Sequence, residues 1–274
     1  MAQARKAVLF DLDGTLVNTG PLILNSFAYT IEEVLGESHS PETYLSGVGI
    51  PLRAQMERLV LSHRNGDMLT ALAGGDLHLD GAAGTIAESS AAGNLPPDET
   101  NRLLAIVEEM MASYQRHNAR IHDELIEPFE GVDEQLAAFE SAGIPMGVVT
   151  SKRHRSAFGD LAHFGLERYF PVLVAADDVE LHKPHPFPLL HGLRLLGEFH
   201  GTTLSVADAA YVGDSPYDMV ASNAAGTLSA AAVWGMFSED ALRAHNPAEI
   251  LCNPADLSRL REPRGTTDRA CGGE

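Results

Sequence analysis

The chain has 274 residues, 45% of them hydrophobic, and a net charge of −19. That length admits one large domain or two smaller ones around a sizeable core. The acidity repels nucleic acid and anionic membrane surfaces, so neither is expected as a partner, and an anionic substrate would need local cations or a metal to offset the field.

Residues 6 to 11 read as a short buried strand that ends in aspartate. Leu22, Ile23, Phe27, Ile31, Val34 and Leu35 then share one helical face, and Gly36 offers a stop. Residues 50 to 62 also look helical. Between Ala71 and Gly93 the chain is rich in Gly, Ala and Ser with little periodicity, which reads as a loose loop closed by Pro96-Pro97. From Asp98, the residues Leu103, Ile106, Val107, Met110 and Tyr114 mark a strong amphipathic helix.

The second half alternates strand and helix. Strands are expected at 144–150, 172–177, 209–214 and 229–234, with helices at 131–142, 154–164, 186–196 and 216–225. This pattern predicts an α/β fold, a doubly wound parallel sheet covered on both faces, with a helical block inserted after the first strand. The expected domains are residues 1–17 with 128–262 as the α/β core and residues 18–127 as the insertion. Residues 263–274 read as a disordered tail. Arg5 and Lys6 precede only a short apolar run, unlike a signal peptide, and no run approaches the roughly 20 apolar residues of a membrane span, so a cytoplasmic location is the default. Cys252 and Cys271 are read as neither a disulfide framework nor a zinc site.

In open α/β sheets, ligands bind beyond the carboxyl ends of the strands. The residues with chemistry sit there: Asp11 and Asp13, Thr150 and Ser151, Asp177 and Asp178, and Asp214. Asp13-Gly14 alone would be ordinary turn chemistry. Asp11 at the end of an apolar strand is not explained that way, because a carboxylate there needs a partner. GDSPYD supplies Asp214 and, one helical turn later, Asp218. Read alone it is a helix start with Asp as cap. Together with Asp11 and Asp13 it can surround a hard cation such as Mg²⁺ with oxygen ligands. Thr150 and Ser151 in VVTSK can donate hydroxyls to a phosphate. In HKPHP, Pro184 and Pro186 restrict the loop that presents Lys183, a compact charge suited to phosphate. One aspartate can attack phosphorus while the other handles protons, and the turn at Gly14 holds both toward one phosphate.

These four motifs, FDLDGT, VVTSK, HKPHP and GDSPYD, resemble in order those of the haloacid-dehalogenase-like phosphohydrolases. The resemblance covers the chain to about residue 250. It implies Asp11 as nucleophile and Asp13 as acid/base. Thr150 and Ser151 would contact the phosphate with Gly14 and Lys183, and Thr15 and Asp218 would support the site. Mg²⁺ would lie on Asp11, Asp214 and the backbone carbonyl of Asp13. The inserted helices resemble a cap, with hinges near Val17 to Gly20 and near Glu127 to Gly131.

RHNARIHDELIEPFEGV and ADDVELHKPHP resemble the phosphoglycolate phosphatase and pyrophosphatase branch. His117, Asn118 and His122 are suggestive on that ground, although helix-end histidines are commonly surface residues. Arg53, near the Gly-rich SGVGIPLR turn, reads as a surface helix charge. The expected activity is Mg²⁺-dependent hydrolysis of a small phosphate monoester of the phosphoglycolate kind. Inorganic pyrophosphate hydrolysis and a sugar phosphomutase are the alternatives within the fold. The expected partner is a small phosphorylated metabolite, and the expected state a monomer or homodimer. A phospho-accepting signalling module also uses Asp, a hydroxyl and Lys, but lacks a hundred-residue insertion after its first strand. Dehalogenase chemistry resembles only the first aspartate, and this chain carries the second.

Overall fold

A computed structural model describes residues 6–45, 47–65, 85–261 and 271. In chain order it begins with β1 (Ala7–Phe10) and the short β2 (Val17–Asn18), followed by α1 (Gly20–Leu35), α2 (Pro41–Leu45), α3 (Leu52–Asn65), α4 (Ile86–Ala91) and α5 (Pro97–Leu125). Then come β3 (Glu127–Pro128), α6 (Val132–Ser141), β4 (Met146–Val149), α7 (His154–His163), β5 (Val172–Val174) and α8 (Phe187–Phe199). β6 (Ala209–Gly213), α9 (Pro216–Ala225), β7 (Leu228–Ala232), α10 (Glu239–Arg243) and β8 (Glu249–Leu251) complete the regular elements, apart from short 3₁₀ turns. The chain forms two compact units, Met1–Asn18 with Glu127–Glu274, and Thr19–Ile126. Among the described residues no helix is long and apolar enough to cross a membrane.

The first unit is the expected α/β sheet. Its six strands run in the order β5-β4-β1-β6-β7-β8, and every pairing is parallel. All four residues of β1 are buried, which is why its sequence is a continuous apolar run rather than an alternating one. One sheet face packs Leu9, Val149, Val174 and Tyr211 under Leu189, Leu193 and Leu196 of α8. Toward the other face, the Phe10 ring meets Phe139 and Phe170 edge-on at 6.1 and 6.0 Å.

Register positions the site. Phe10 lies opposite Val148 of β4 and Val212 of β6, so the three strands end almost level. Asp11, Thr150 and Asp214 each follow within one or two residues of those ends. Adjacent parallel strands are only about 4.8 Å apart, so side chains leaving three neighbouring ends converge.

In the second unit, α1 packs along α5, with Phe27 edge-on to Tyr114 at 5.1 Å. Three sequence expectations are corrected. Ile86–Ala91, read as loose loop, is helical: the Thr85 hydroxyl accepts from Glu88 N, and the Glu88 carboxylate accepts from Thr85 N, a capping box legible in TIAE. Residues 66–84 of that stretch lie outside the described residues, as do 262–270 and 272–274 of the expected tail. Cys252 and Cys271, 19 positions apart, are joined as a disulfide with Cα atoms 5.3 Å apart, and both pack against the cluster of Met219, Leu242 and Ile250. Spacing along the sequence carries no sign of such a pairing, because two lone cysteines match no framework. His117, grouped with surface histidines, is buried between α1 and α5. The cap of α9 is Ser215, so Asp214 does not take the capping role that its motif alone would suggest. The Ser215 hydroxyl accepts from Asp218 N, Asp218 returns the bond, and Pro216 occupies the first turn.

Candidate active site

With Ser215 as the cap of α9, Asp214 is left to the expected site. Asp11, Asp214 and Asp218 are all buried, and their carboxylate oxygens can lie within 4.8 Å of one another. Lys183 is buried beside them. Its ammonium donates to Asp218 Oδ1 at 2.7 Å and to Tyr211 Oη at 3.0 Å, and it pairs with Asp11 Oδ2 at 3.0 Å. Those three partners use all three ammonium hydrogens. Tyr211 has one proton to give, and both Val149 O and Asp218 Oδ1 lie at 3.0 Å from its hydroxyl. The other Asp218 oxygen accepts from Ser215 N and Oγ. Both Asp218 oxygens are thus committed, and Asp218 holds Lys183 rather than facing a ligand.

Asp214 Oδ2 accepts from Met236 N at 2.7 Å. Two glycines wall it in. At Gly14, with φ +76°, a Cβ would stand 2.0 Å from Asp214 Oδ2. At Gly235 a Cβ would stand 2.3 Å from Asp214 Cβ and 2.4 Å from the Gly14 carbonyl oxygen. The Gly14 clash is with the carboxylate end of Asp214, which Met236 N holds in place, and its positive φ favours glycine in any case; the Gly235 clash is with a Cβ and with backbone, which cannot swing away.

The charges do not balance. Three carboxylates against one ammonium leave an excess of two negative charges if all are ionised, counting 3 − 1 = 2. Burial pushes the Asp11 carboxyl up to about 7; Lys183 opposes this, while Asp218 and Asp13 add to it. Burial, then Asp218 and Asp11, likewise raises Asp214 well above the usual carboxylate range. Burial works against the charge of Lys183, but Asp11 and Asp218 outweigh it and hold the ammonium above its ordinary value. Asp11 Oδ1 is buried with no hydrogen-bond partner among the described residues. An orphaned carboxylate oxygen in a cluster of three carboxyl groups and one ammonium, which resists full ionisation for want of a cation, is the chemistry that a divalent cation satisfies, so these donors fit a hard metal ion.

Of the other expected site residues, Asp13 directs its carboxylate to Lys152, with Nζ–Oδ1 at 2.9 Å, and is not among the three clustered carboxylates. Thr150 Oγ1 accepts from Lys152 N at 3.2 Å, which leaves the hydroxyl hydrogen as a donor. Thr15 Oγ1 is buried without a partner among the described residues, and its carbonyl accepts from Trp234 Nε1 at 3.0 Å. Ser151 follows directly after Thr150 at the end of β4. Asp177 and Asp178 are occupied elsewhere: Asp177 accepts from His154 N, and Asp178 pairs with the His154 ring. In the second unit, Arg53 pairs with Glu57 and Glu108, as a surface helix charge does. His122 is hydrogen-bonded to Asp123, and Asn118 donates to Ser26 Oγ.

Sequence reading missed Lys152, Asp160, Tyr211 and the Gly235-Met236 turn. Two of them left a trace. Asp160 sits on the apolar stripe of α7 with Ala157 and Leu161, where a carboxylate implies a buried partner. Tyr211 is the one hydroxyl in an otherwise aliphatic strand.

The α/β sheet thus gathers aspartates, a lysine and a hydroxyl around the ends of its central strands. Residues 8–74 and 84–232 match the family model described as "Haloacid dehalogenase-like hydrolase". The chain belongs to that family. This bears out the resemblance carried by the four motifs, and with it an enzyme of the phosphatase kind. The chain is 32% identical over 250 residues to a protein named pyrophosphatase PpaX from Halalkalibacterium halodurans, covering 91% of this chain and 94% of that one. A pyrophosphatase PpaX from Bacillus cereus is 31% identical, with 91% and 93% covered. The fold is also that of a structure titled as a predicted phosphoglycolate phosphatase from Haemophilus somnus, with TM-score 0.67, 21% identity and coverage of 94% and 98%.

Proposed function

We propose that this hydrolase is a Mg²⁺-dependent phosphatase of a small phosphate monoester, working through an aspartyl-phosphate on Asp11. The observation that carries the reading is the bare, buried Oδ1 of Asp11, held beside the Lys183 ammonium at the end of the central strand. A carboxylate oxygen so placed keeps its lone pairs for a phosphorus or a cation.

Asp11 and Asp214, with the Asp13 carbonyl, would hold Mg²⁺, which when bound neutralises charge on the phosphoryl oxygens. Lys183, by turning the hydrogen it gives Asp11 toward the phosphoryl group, and the Thr150 hydroxyl would bind and orient those oxygens, with Ser151 and the Gly14 backbone alongside. In the first step, an Asp11 carboxylate oxygen forms a bond to phosphorus while the bond from phosphorus to the leaving oxygen breaks. Asp13 gives that oxygen its proton. In the second step, water attacks phosphorus and passes a proton to the Asp13 carboxylate. The bond to Asp11 breaks, phosphate departs, and both carboxyl groups return to their starting states. The Thr19–Ile126 unit would act as a cap that selects the leaving group and excludes water.

Inorganic pyrophosphate is the second substrate reading, favoured by the name that the full-length relatives share. The test is phosphate release from phosphoglycolate, pyrophosphate, sugar phosphates and nucleotides, with and without Mg²⁺, and with Asp11→Asn as control. One preferred, metal-dependent substrate that the variant no longer turns over is the expected result. Release that survives Asp11→Asn would sink the nucleophile assignment, and strong preference for pyrophosphate would move the substrate to the second reading.

A further inference from the structure

Lys152 lies just ahead of α7, two residues beyond Thr150. Its ammonium bridges two carboxylates, Asp13 Oδ1 at 2.9 Å and Asp160 Oδ2 at 2.5 Å. The side chain of Asp160 is only 2% exposed, so this arm of the bridge is built into the core. Asp13 stands 139 residues earlier in the chain, on the loop that follows β1. A long lysine stem, costly to order, is thus fixed between a rigid helix and the loop that carries the expected proton-transfer group. Replacing a buried ion pair by apolar side chains of similar volume is often neutral for stability or better. Stability therefore gives little reason for an Asp-Lys-Asp chain at this place, whereas orientation gives a good one. Only one Asp13 oxygen is tied, and the other has no partner among the described residues. The same lysine's backbone N–H also fixes the Thr150 hydroxyl.

We infer that Lys152, braced by Asp160, is a positioning residue that fixes the Asp13 carboxyl group so that its untied oxygen meets the leaving oxygen of the substrate. The inference rests on the phosphatase reading above and extends it to two residues that touch no reacting atom.

Positioning of a proton donor has a signature that structural damage lacks. An alkoxide leaving group needs its proton as the ester bond breaks, whereas p-nitrophenolate departs largely unaided. The experiment compares kcat and KM for phosphoglycolate and p-nitrophenyl phosphate in wild type, Asp11→Asn, Lys152→Met, Asp160→Asn and the double variant Lys152→Met with Asp160→Asn. The double variant removes both charges and so avoids leaving Asp160 buried alone. Melting curves establish that each protein is folded. The expected result is a kcat on phosphoglycolate that falls at least about tenfold further than kcat on the aryl ester, with KM little changed, and with the same bias in the double variant. Equal losses on both esters in folded protein would overturn the inference while leaving the nucleophile assignment intact. Wild type inactive on both esters, or Asp11→Asn as active as wild type, would instead break the phosphatase reading and this inference with it.

Discussion

Two polar networks, one in each unit, differ in burial and in completeness: around His117 only the imidazole is buried, whereas Asp11, Lys183, Tyr211 and Asp218 are all buried. In the helical unit, the His117 ring lies flat on Tyr29, with centroids 3.9 Å apart, and its Nε2 meets Asn25 Oδ1 at 2.7 Å. Its Nδ1 accepts from Arg120, so both ring nitrogens are satisfied without a second proton. Burial, helped by Arg120, lowers the pKa of His117 and keeps the ring neutral. In the α/β unit, the Lys183 network closes around the ammonium but leaves Asp11 Oδ1 bare and the carboxylates in excess. A satisfied network holds elements together. An unsatisfied one at a strand end keeps binding capacity in reserve, and its own stability suffers for it.

The sharpest way to break that contrast is Asp11→Asn. Phosphate release should fall by on the order of 10⁴ or more. The metal-free variant should nevertheless melt no lower than wild type at pH 8, because it removes a buried charge that the cluster does not balance. A large drop in melting temperature would mean that Asp11 is structural instead.

Lys183→Met should do the reverse. It leaves Asp11 and Asp218 facing each other without their cation, and breaking a buried pair in this way costs about 3–5 kcal/mol. Urea denaturation of the metal-free protein measures it.

The third prediction concerns pH. Asp11 is raised to about 7 in the fold from an ordinary value of 3.8. Between those values the folded state holds a proton that the unfolded chain has lost, so the metal-free fold loses stability as pH rises through this window. Mg²⁺ must displace that proton, so its binding should strengthen over the same range. Thermal shift on adding Mg²⁺ should be larger at pH 8 than at pH 6, with about 2.7 kcal/mol of stabilisation at a hundred times Kd. A shift independent of pH would place the ion away from Asp11.

The smallest effect belongs to the satisfied network. His117→Ala should lower stability by about 2 kcal/mol through the lost ring stack and hydrogen bonds. Phosphate release per folded molecule should stay as it is. A selective change in KM would instead bring His117 into substrate recognition.

Much of this molecule can be read along the chain. Continuous apolar runs such as VLF and YVG exist because strands covered on both faces expose nothing to water. The glycines at 36, 143, 165 and 226 mark helix ends because only glycine takes a positive φ without strain. Asp11, Thr150 and Asp214 stand out in the sequence because strand ends in a parallel sheet are where chemistry collects, and Lys183 because Pro184 and Pro186 restrict its loop. Other decisions required three dimensions. That Ser215 caps α9 and leaves Asp214 to the site depends on the Met236 amide and two glycine walls, Gly14 and Gly235, brought in from distant segments. That Lys152 serves Asp13 and Asp160, that Tyr211 holds Lys183, and that Cys252 finds Cys271 follow from proximity between residues far apart in sequence. Local spacing encodes which faces are buried and where the backbone turns. Which charge meets which across the core is set by packing, because a buried charge is decided by whatever the fold places within about 3 Å of it.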